Sequence, residues 1–102
     1  MKLKVYISGP ITDNPDFKKQ FAEASAYVEK YGYEAVNPAN NEIPDGNWQD
    51  YMKMDLHQLI DCNAIYMLKG WSKSKGAKLE HRIAKELNML ISYQDKEEKE
   101  DA

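Results

Sequence analysis

Short runs of strand-forming residues alternate with longer amphipathic segments along this chain, and this alternation limits the folds that it can adopt. The first run, residues 3–8, is rich in β-branched and aromatic side chains and is stopped by Gly9 and Pro10. Similar runs occupy residues 33–37, 64–68 and 89–93. The segments between them carry apolar residues at spacings of three and four, which is typical of helices with one buried face. The predicted order of elements is therefore β-α-β-α-β-α-β.

Capping residues set the predicted helix boundaries. Asn14 followed by Pro15 places a cap and then a proline at the first helical position. Asn47 is the predicted cap of the second helix, over residues 48–60, and the third helix is predicted over residues 77–87. Helices of this length between consecutive strands allow parallel strand pairing through crossovers.

Such alternating units specify a parallel sheet with right-handed crossovers and helices on both faces. The almost continuously apolar run at residues 64–68 fits a strand that is covered on both faces. We therefore predict an α/β fold, a three-layer α/β/α sandwich with a short parallel sheet, which is a reduced flavodoxin-like architecture. With 102 residues the chain has room for a single domain, which we assign to residues 1–94. Residues 95–102 are predicted to form an acidic, disordered tail.

Charge and composition narrow the functional classes. The tail holds five acidic residues and two lysines, so it accounts for the whole net charge of −3 and leaves a neutral body. A neutral body without a basic stripe argues against binding to a nucleic-acid polymer. No apolar run approaches the roughly 18–20 residues of a membrane span, so we expect a cytoplasmic protein with no membrane partner. Cys62 and two histidines offer no zinc-ligand spacing, and no metal or cofactor is expected.

Two acidic residues occupy positions where apolar side chains are expected. At ~100° per residue, Asp55 falls on the apolar face of its helix with Met52 and Leu59, and Glu80 shares a face with Ala84. Either acid alone has a structural explanation, since acids favour helix starts and can satisfy loop backbones. Together they match the paired carboxylates that cleave bonds at an anomeric carbon, with one as nucleophile and one managing a proton.

The candidate site lies in the loops that follow the strands, because parallel α/β sheets bind ligands beyond the carboxyl ends of their strands. Backbone and side-chain groups in the first and third of these loops offer anion contacts, although ordinary turn chemistry explains such residues more often. They are Ser8, Gly9, Pro10, Ile11, Ser74 and Gly76. Trp71, on a loop, is the best candidate for stacking on a base, while Trp48 and Tyr51 fit either the cavity or the core. His57 and His81 are predicted to lie at the surface.

Four short motifs together resemble the nucleoside 2-deoxyribosyltransferase superfamily, which includes the deoxynucleoside 5′-monophosphate N-glycosidases. The resemblance extends over residues 2–93 and is greatest to a small phage and bacterial branch of unassigned activity. The motifs are Val5-Tyr6-Ile7-Ser8-Gly9-Pro10-Ile11, Asn37-Pro38-Ala39, Asp55-Leu56 and Ser74-Lys75-Gly76-Ala77-Lys78-Leu79-Glu80. The resemblance implies cleavage or transfer at the N-glycosidic bond of a 2-deoxynucleoside or its 5′-monophosphate.

The resemblance also implies a role for each matching residue. Glu80 would attack C1′ and form a covalent glycosyl intermediate, Asp55 would assist the departing base, and Tyr6 would hold Glu80 in line. Ser8, Gly9, Ser74 and Gly76 would surround the sugar 5′-end or its phosphate, and Asn37 joins the expected substrate-binding residues. The expected partner is a small deoxynucleoside or deoxynucleotide, and the shallow crevice of so small a domain predicts a homodimer or a higher homo-oligomer. Two alternatives stay open: a noncatalytic nucleotide-binding module, and an interaction protein whose acidic tail recruits a partner.

Overall fold

The computed structural model describes residues 2–99, in which four strands alternate with three helices as the sequence predicts. The strands are β1 (Lys4–Ser8), β2 (Glu34–Val36), β3 (Ala64–Met67) and β4 (Leu90–Tyr93). The helices are α1 (Phe17–Lys30), α2 (Trp48–Ile60) and α3 (Lys75–Glu86). Short 3-10 turns at Pro38–Asn40 and Trp71–Lys73 lie within the loops that follow β2 and β3.

All the strand pairs in this sheet are parallel, in the order β2-β1-β3-β4. The chain first moves outward from β1 to β2 and then returns past β1 to β3, so the crossovers change direction between β1 and β3. Tyr6 of β1 lies between Val36 of β2 and Ile65 of β3 in this register. In open α/β sheets the crevice at such a reversal is the usual ligand site. The predicted α/β class and flavodoxin-like architecture are thus confirmed.

Alternation along β1 divides the core into two layers. Val5 and Ile7 pack against α1, whereas Tyr6 faces the other side of the sheet, where α2 and α3 lie. The α1 layer is closed by Phe21, Ala24 and Val28, and the opposite layer by Leu59, Ile65, Met67, Ala77 and Ala84. Because successive strand residues point to opposite faces, Ser8 shares the face of Tyr6. This places two hydroxyl groups of β1 beneath α3.

The second and third helices begin on side-chain caps. Asn47 Oδ1 accepts from the Asp50 backbone N–H at 2.8 Å, and Asp50 Oδ2 accepts from the Asn47 N–H at 3.0 Å. This reciprocal capping box confirms Asn47 as the cap of α2. Ser74 Oγ accepts from the Ala77 N–H at 3.2 Å, so α3 begins at Lys75, two residues before the predicted start.

The predicted start of the first helix is wrong. The helix begins at Phe17, not at Pro15, and its first turn has no side-chain cap. Asn14 Nδ2 instead donates to the Pro10 carbonyl at 2.8 Å and to Gln20 Oε1 at 2.9 Å. Asn14 thus connects the loop after β1 to α1. Its side chain makes these contacts in place of the helix cap that Asn14 and Pro15 predicted.

The described part of the acidic tail packs against the loop after β3. Glu98 accepts hydrogen bonds from the Gly70 N–H at 2.7 Å and the Ser72 hydroxyl at 2.9 Å, and its carbonyl accepts from Trp71 Nε1 at 3.1 Å. Glu98 is therefore held against the folded domain, whereas composition predicted a solvated tail for residues 95–102. Residues 100–102 lie outside the described residues.

Residues 2–99 lack two kinds of feature, a membrane-spanning helix and a cluster of metal ligands. None of the helices in this range is both long and apolar enough to cross a membrane. Within the same residues, no three or more His, Cys, Asp or Glu side chains are grouped so that they could hold a metal ion. Cys62 is buried as a free thiol, and burial raises its pKa to about 11, which keeps the thiol protonated.

Candidate active site

A cavity of about 830 Å³ opens at the carboxyl ends of β1 and β3, where the crossovers reverse direction. Its walls come from the loops after β1, β2 and β3, from the first turn of α1 and from parts of α2 and α3. Its acidic and basic lining residues are Asp13, Lys18, Glu42, Asp55, Lys73, Lys75 and Glu80. Among its other lining residues are Gly9, Pro10, Ile11, Asn41, Trp48, Tyr51, Met52, Ser74 and Gly76. The cavity therefore combines an apolar wall with charges of both signs.

Glu80 is the most constrained acidic group on this cavity. Glu80 is only 4% exposed, and each of its carboxylate oxygens accepts a hydrogen bond from a hydroxyl group of β1. Tyr6 Oη donates to Oε2 at 2.6 Å, and Ser8 Oγ donates to Oε1 at 2.7 Å. Such short distances are typical of hydroxyls that donate to an ionised carboxylate. The two-residue repeat of β1 and the packing of α3 over it bring these groups together.

Burial competes with these hydrogen bonds in setting the charge of Glu80. Loss of solvent raises the pKa of Glu80 to about 7, although the hydrogen bonds from Tyr6 and Ser8 favour the charged form. The nearby Asp55 raises the Glu80 pKa further. The pKa of Tyr6 is raised well above 10.0, mainly by burial, so its hydroxyl keeps the proton that it donates. Near neutral pH, Glu80 can therefore exchange between charged and neutral forms.

Asp55 is the second buried acidic group of the cavity. It lies in α2, is 6% exposed, and accepts a hydrogen bond from Asn41 Nδ2 to Oδ1 at 2.9 Å. Burial raises the pKa of Asp55 to about 6, and the hydrogen bond from Asn41 partly offsets this shift. The structure therefore brings the two acids singled out from the sequence to the wall of one cavity, and places Tyr6 directly behind Glu80.

Five of the predicted substrate-binding residues line the cavity, and Ser8, Asn37 and Trp71 do not. Gly9, Pro10, Ile11, Ser74 and Gly76 line the cavity. Ser8 is fully buried behind Glu80 and bonds to its carboxylate, so the structure places it under the wall and not in contact with the open space. Asn37 does not line the cavity either, because its side chain accepts from the Ala39 N–H at 3.0 Å and caps a 3-10 turn.

Trp71 lies away from the cavity, which corrects its assignment as the stacking residue. Its ring stacks on His81 at a centroid distance of 4.3 Å and packs near Tyr93. His81 is 4% exposed and its Nε2 lies 2.8 Å from the Tyr93 hydroxyl, so the predicted surface position of His81 is also wrong. Both side chains are buried because the loop after β3 folds back over α3. Trp48 and Tyr51 are the aromatic residues that line the cavity.

Lys18, Lys73 and Asn41 line the cavity but were not singled out from the sequence, whereas Lys75 belongs to one of the motifs quoted above. Lys75 Nζ lies 4.2 Å from the centroid of the Trp48 ring, which joins a positive charge to an aromatic face at the cavity wall. Lys18 and Lys73 add two more positive charges to the wall. Asn41 comes from the long loop after β2, whose length suggests function, but no spacing distinguishes it from its neighbours.

Gly9 lies against the Leu68 side chain at the cavity wall, with no room for a side chain of its own. A Cβ added at Gly9 would lie 2.9 Å from Leu68 Cβ and 3.1 Å from Leu68 Cδ1, and Leu68 is fully buried. Gly9→Ala is therefore expected to lower the free energy of unfolding by about 1–3 kcal/mol in a urea titration. Gly32→Ala gives a control with a positive φ and no Cβ neighbour within 4 Å, so its cost comes from the backbone alone. Unchanged stability of Gly9→Ala would contradict this close contact.

Comparison with known sequences adds a family match. Residues 3–93 match a family described as a domain of unknown function, DUF4406. The matched range includes the seven helices and strands named above and the two buried acids. No protein with a curated description matches the chain.

Proposed function

The chain belongs to the DUF4406 family, and we propose that it cleaves or transfers at the N-glycosidic bond of 2-deoxynucleosides or their 5′-monophosphates. The observation that carries this proposal is the pairing of Glu80, held by two hydroxyls, with a second buried acid on the same cavity. The motif resemblance to the nucleoside 2-deoxyribosyltransferase superfamily supports the same chemistry. We propose that DUF4406 chains like this one are relatives of that superfamily.

In the proposed reaction Glu80 is the nucleophile. One of its carboxylate oxygens bonds to C1′ while the C1′–N bond breaks, and the electron pair of that bond leaves with the base. Asp55 gives its proton to the departing base nitrogen and becomes a carboxylate. Tyr6 and Ser8 keep the Glu80 oxygens oriented, and their hydrogen bonds favour the charged nucleophile over the neutral acid.

The second half of the reaction returns both acids to their starting states. Water or a second base attacks C1′, the bond between C1′ and the Glu80 oxygen breaks, and Asp55 accepts the proton of the attacking group. Water gives hydrolysis and a second base gives transfer. Two displacements at C1′ retain its configuration in both cases.

The cavity suits a ligand of nucleotide size. A volume of about 830 Å³ lies within the usual range for small-molecule sites. Trp48 and Tyr51 offer aromatic surfaces for a base, and Lys18, Lys73 and Lys75 offer positive charge for a 5′-phosphate. These lysines support monophosphates as substrates beside the free deoxynucleosides.

The test is a substrate panel analysed by chromatography. Purified protein is incubated with the four common deoxynucleosides and their 5′-monophosphates, with and without an acceptor base, beside Glu80→Ala. We expect base release or exchange that is lost in Glu80→Ala and kept in Glu86→Ala, which changes an exposed glutamate of the same helix. Turnover that survives Glu80→Ala would refute the nucleophile assignment.

A noncatalytic nucleotide-binding module is the second candidate. It is supported by the cavity lining, because Trp48, Lys18 and Lys75 could bind a base and a phosphate whether or not Glu80 reacts. In that case calorimetric titration would show saturable binding of a deoxynucleoside monophosphate while chromatography shows no product. Replacing Lys75 with Met should then weaken this binding, because it removes a positive charge from the cavity wall.

A further inference from the structure

Asn41, the hydrogen-bond donor to Asp55, is itself held by a reciprocal amide pair. Asn41 Nδ2 donates to Gln58 Oε1 at 2.8 Å, and Gln58 Nε2 donates back to Asn41 Oδ1 at 3.2 Å. The second hydrogen of Asn41 Nδ2 is left for Asp55 Oδ1, which accepts it at 2.9 Å. A rotation of the Asn41 amide by 180° would exchange its nitrogen and its oxygen. Gln58 opposes this rotation because it bonds to both groups.

The two oxygens of Asp55 consequently have different surroundings. Oδ1 accepts from Asn41, whereas Oδ2 makes no hydrogen bond to any residue in the range 2–99. In that range no fully buried side-chain nitrogen or oxygen lacks a hydrogen-bond partner, so Oδ2 keeps contact with the solvent of the cavity that Asp55 lines. When the carboxyl group is protonated, the oxygen that already accepts an N–H is the better carbonyl oxygen, and the proton belongs on the other.

We propose that Gln58 is a positioning residue for Asp55, acting through Asn41: it keeps the Asn41 NH₂ group on Oδ1 and leaves the transferable proton on Oδ2. The use of that proton for a departing base rests on the proposed function. The position of the proton rests on the hydrogen bonds of Asn41 alone.

The fold explains why the pair can act as a unit. Gln58 lies one helical turn after Asp55 in α2, so the two side chains leave the same face of the helix. Asn41 reaches both from the loop after β2, and the Tyr51 hydroxyl anchors this loop by accepting from the Ile43 N–H at 3.1 Å. The loop after β2 is therefore bonded to α2 both before Asp55, at Tyr51, and after it, at Gln58.

The experiment measures the pKa of Asp55 by a carbon-13 NMR titration of its side-chain carboxyl group. The variants are Gln58→Met, Asn41→Ala, the double variant and Gln49→Met, which changes an exposed glutamine of the same helix. The other charged or titratable groups of the site are the same in every variant. They are Tyr6 on β1, Tyr51 on α2, Glu80 on α3 and the cavity residues Asp13, Lys18, Glu42, Lys73 and Lys75.

Gln58→Met is expected to raise the pKa of Asp55 from about 6 by about half to one unit, because an unrestrained Asn41 amide can turn its oxygen toward a protonated Asp55. Asn41→Ala should raise it at least as much, and the double variant should match Asn41→Ala alone. Gln49→Met should leave it unchanged. Gln58→Leu serves as a second replacement if Gln58→Met does not fold, and the same shift is expected.

An unchanged Asp55 pKa in the Gln58 variants, or a shift that adds to that of Asn41→Ala, would overturn the positioning role. The titration needs no turnover, so it decides this inference separately from the substrate panel, which decides the proposed function. If the panel finds a substrate, Gln58→Met should lower kcat several-fold with little change in KM.

Discussion

Replacing Glu80 with glutamine is expected to reduce base release by about 10⁴-fold or more while making the folded protein more stable above neutral pH. The loss of activity follows because an amide cannot form the covalent bond to C1′ that the proposed reaction requires. The gain in stability follows because glutamine removes a buried charge. An amide can still accept from one hydroxyl of the Tyr6 and Ser8 pair and donate to the other.

The pH dependence of this gain has a definite sign. Folding raises the pKa of Glu80 from 4.5 to about 7, so the folded state binds the proton more tightly than the unfolded state. The stability associated with this proton is complete below about pH 4.5 and is lost as the pH rises to about 7. Above that range the cost to the wild-type protein is on the order of 3 kcal/mol.

Urea unfolding of wild type and Glu80→Gln at about pH 4.5 and about pH 8 measures this difference. The two proteins should have similar free energies of unfolding at the lower pH, and the variant should be the more stable at the higher pH. Glu86→Gln, on the exposed face of α3, should show neither effect. A variant that loses base release but gains no stability at the higher pH would show that Glu80 carries no buried-charge cost.

Asp55→Asn is expected to reduce base release by about 10²–10⁴-fold, because an amide cannot give a proton to the departing base. In the wild-type protein the Asp55 proton is lost as the pH rises through about 6, and Glu80 becomes charged as the pH rises through about 7. The productive form has Asp55 protonated and Glu80 charged, so kcat/KM should have a maximum between these two values.

The measurement is the pH profile of kcat/KM for wild type and Asp55→Asn on one substrate. The variant should lose the alkaline limb and keep the acid limb that reports the ionisation of Glu80. Asp61→Asn, at the exposed end of α2, should retain the wild-type profile. An alkaline limb that persists in Asp55→Asn would assign the general acid to another group.

The two buried acids were predictable because each breaks a local rule. A carboxylate on the apolar face of a helix is visible in a single sequence, since helical spacing alone identifies that face. Asn41 and Gln58 break no such rule, because amides are ordinary both in loops and on half-exposed helix faces. Their importance arises only from the three hydrogen bonds that join them to each other and to Asp55.

Trp71 and Asn14 show where local signals mislead. A tryptophan in a loop suggests an exposed stacking surface, but the loop after β3 folds over α3, and Glu98 receives the indole N–H. Asn14 before a proline suggests a helix cap, but its amide bonds to Pro10 and Gln20 instead. In each case a contact with a residue distant in sequence or across a turn outweighs the local preference, which for a helix cap such as the one expected at Asn14 is worth about 1 kcal/mol.

The order of elements, the parallel sheet and the burial of Asp55 and Glu80 follow from the sequence, because periodicity and crossover handedness are local or general properties of chains. The resemblance implied the contact of Tyr6 with Glu80, but only the packed structure shows that Ser8 holds the second oxygen of Glu80, that Asn41 holds one oxygen of Asp55, and that Gln58 holds Asn41. A hydrogen bond depends on separations of about 3 Å and on direction. Those quantities are fixed only when β1, α2, α3 and the loop after β2 have packed together.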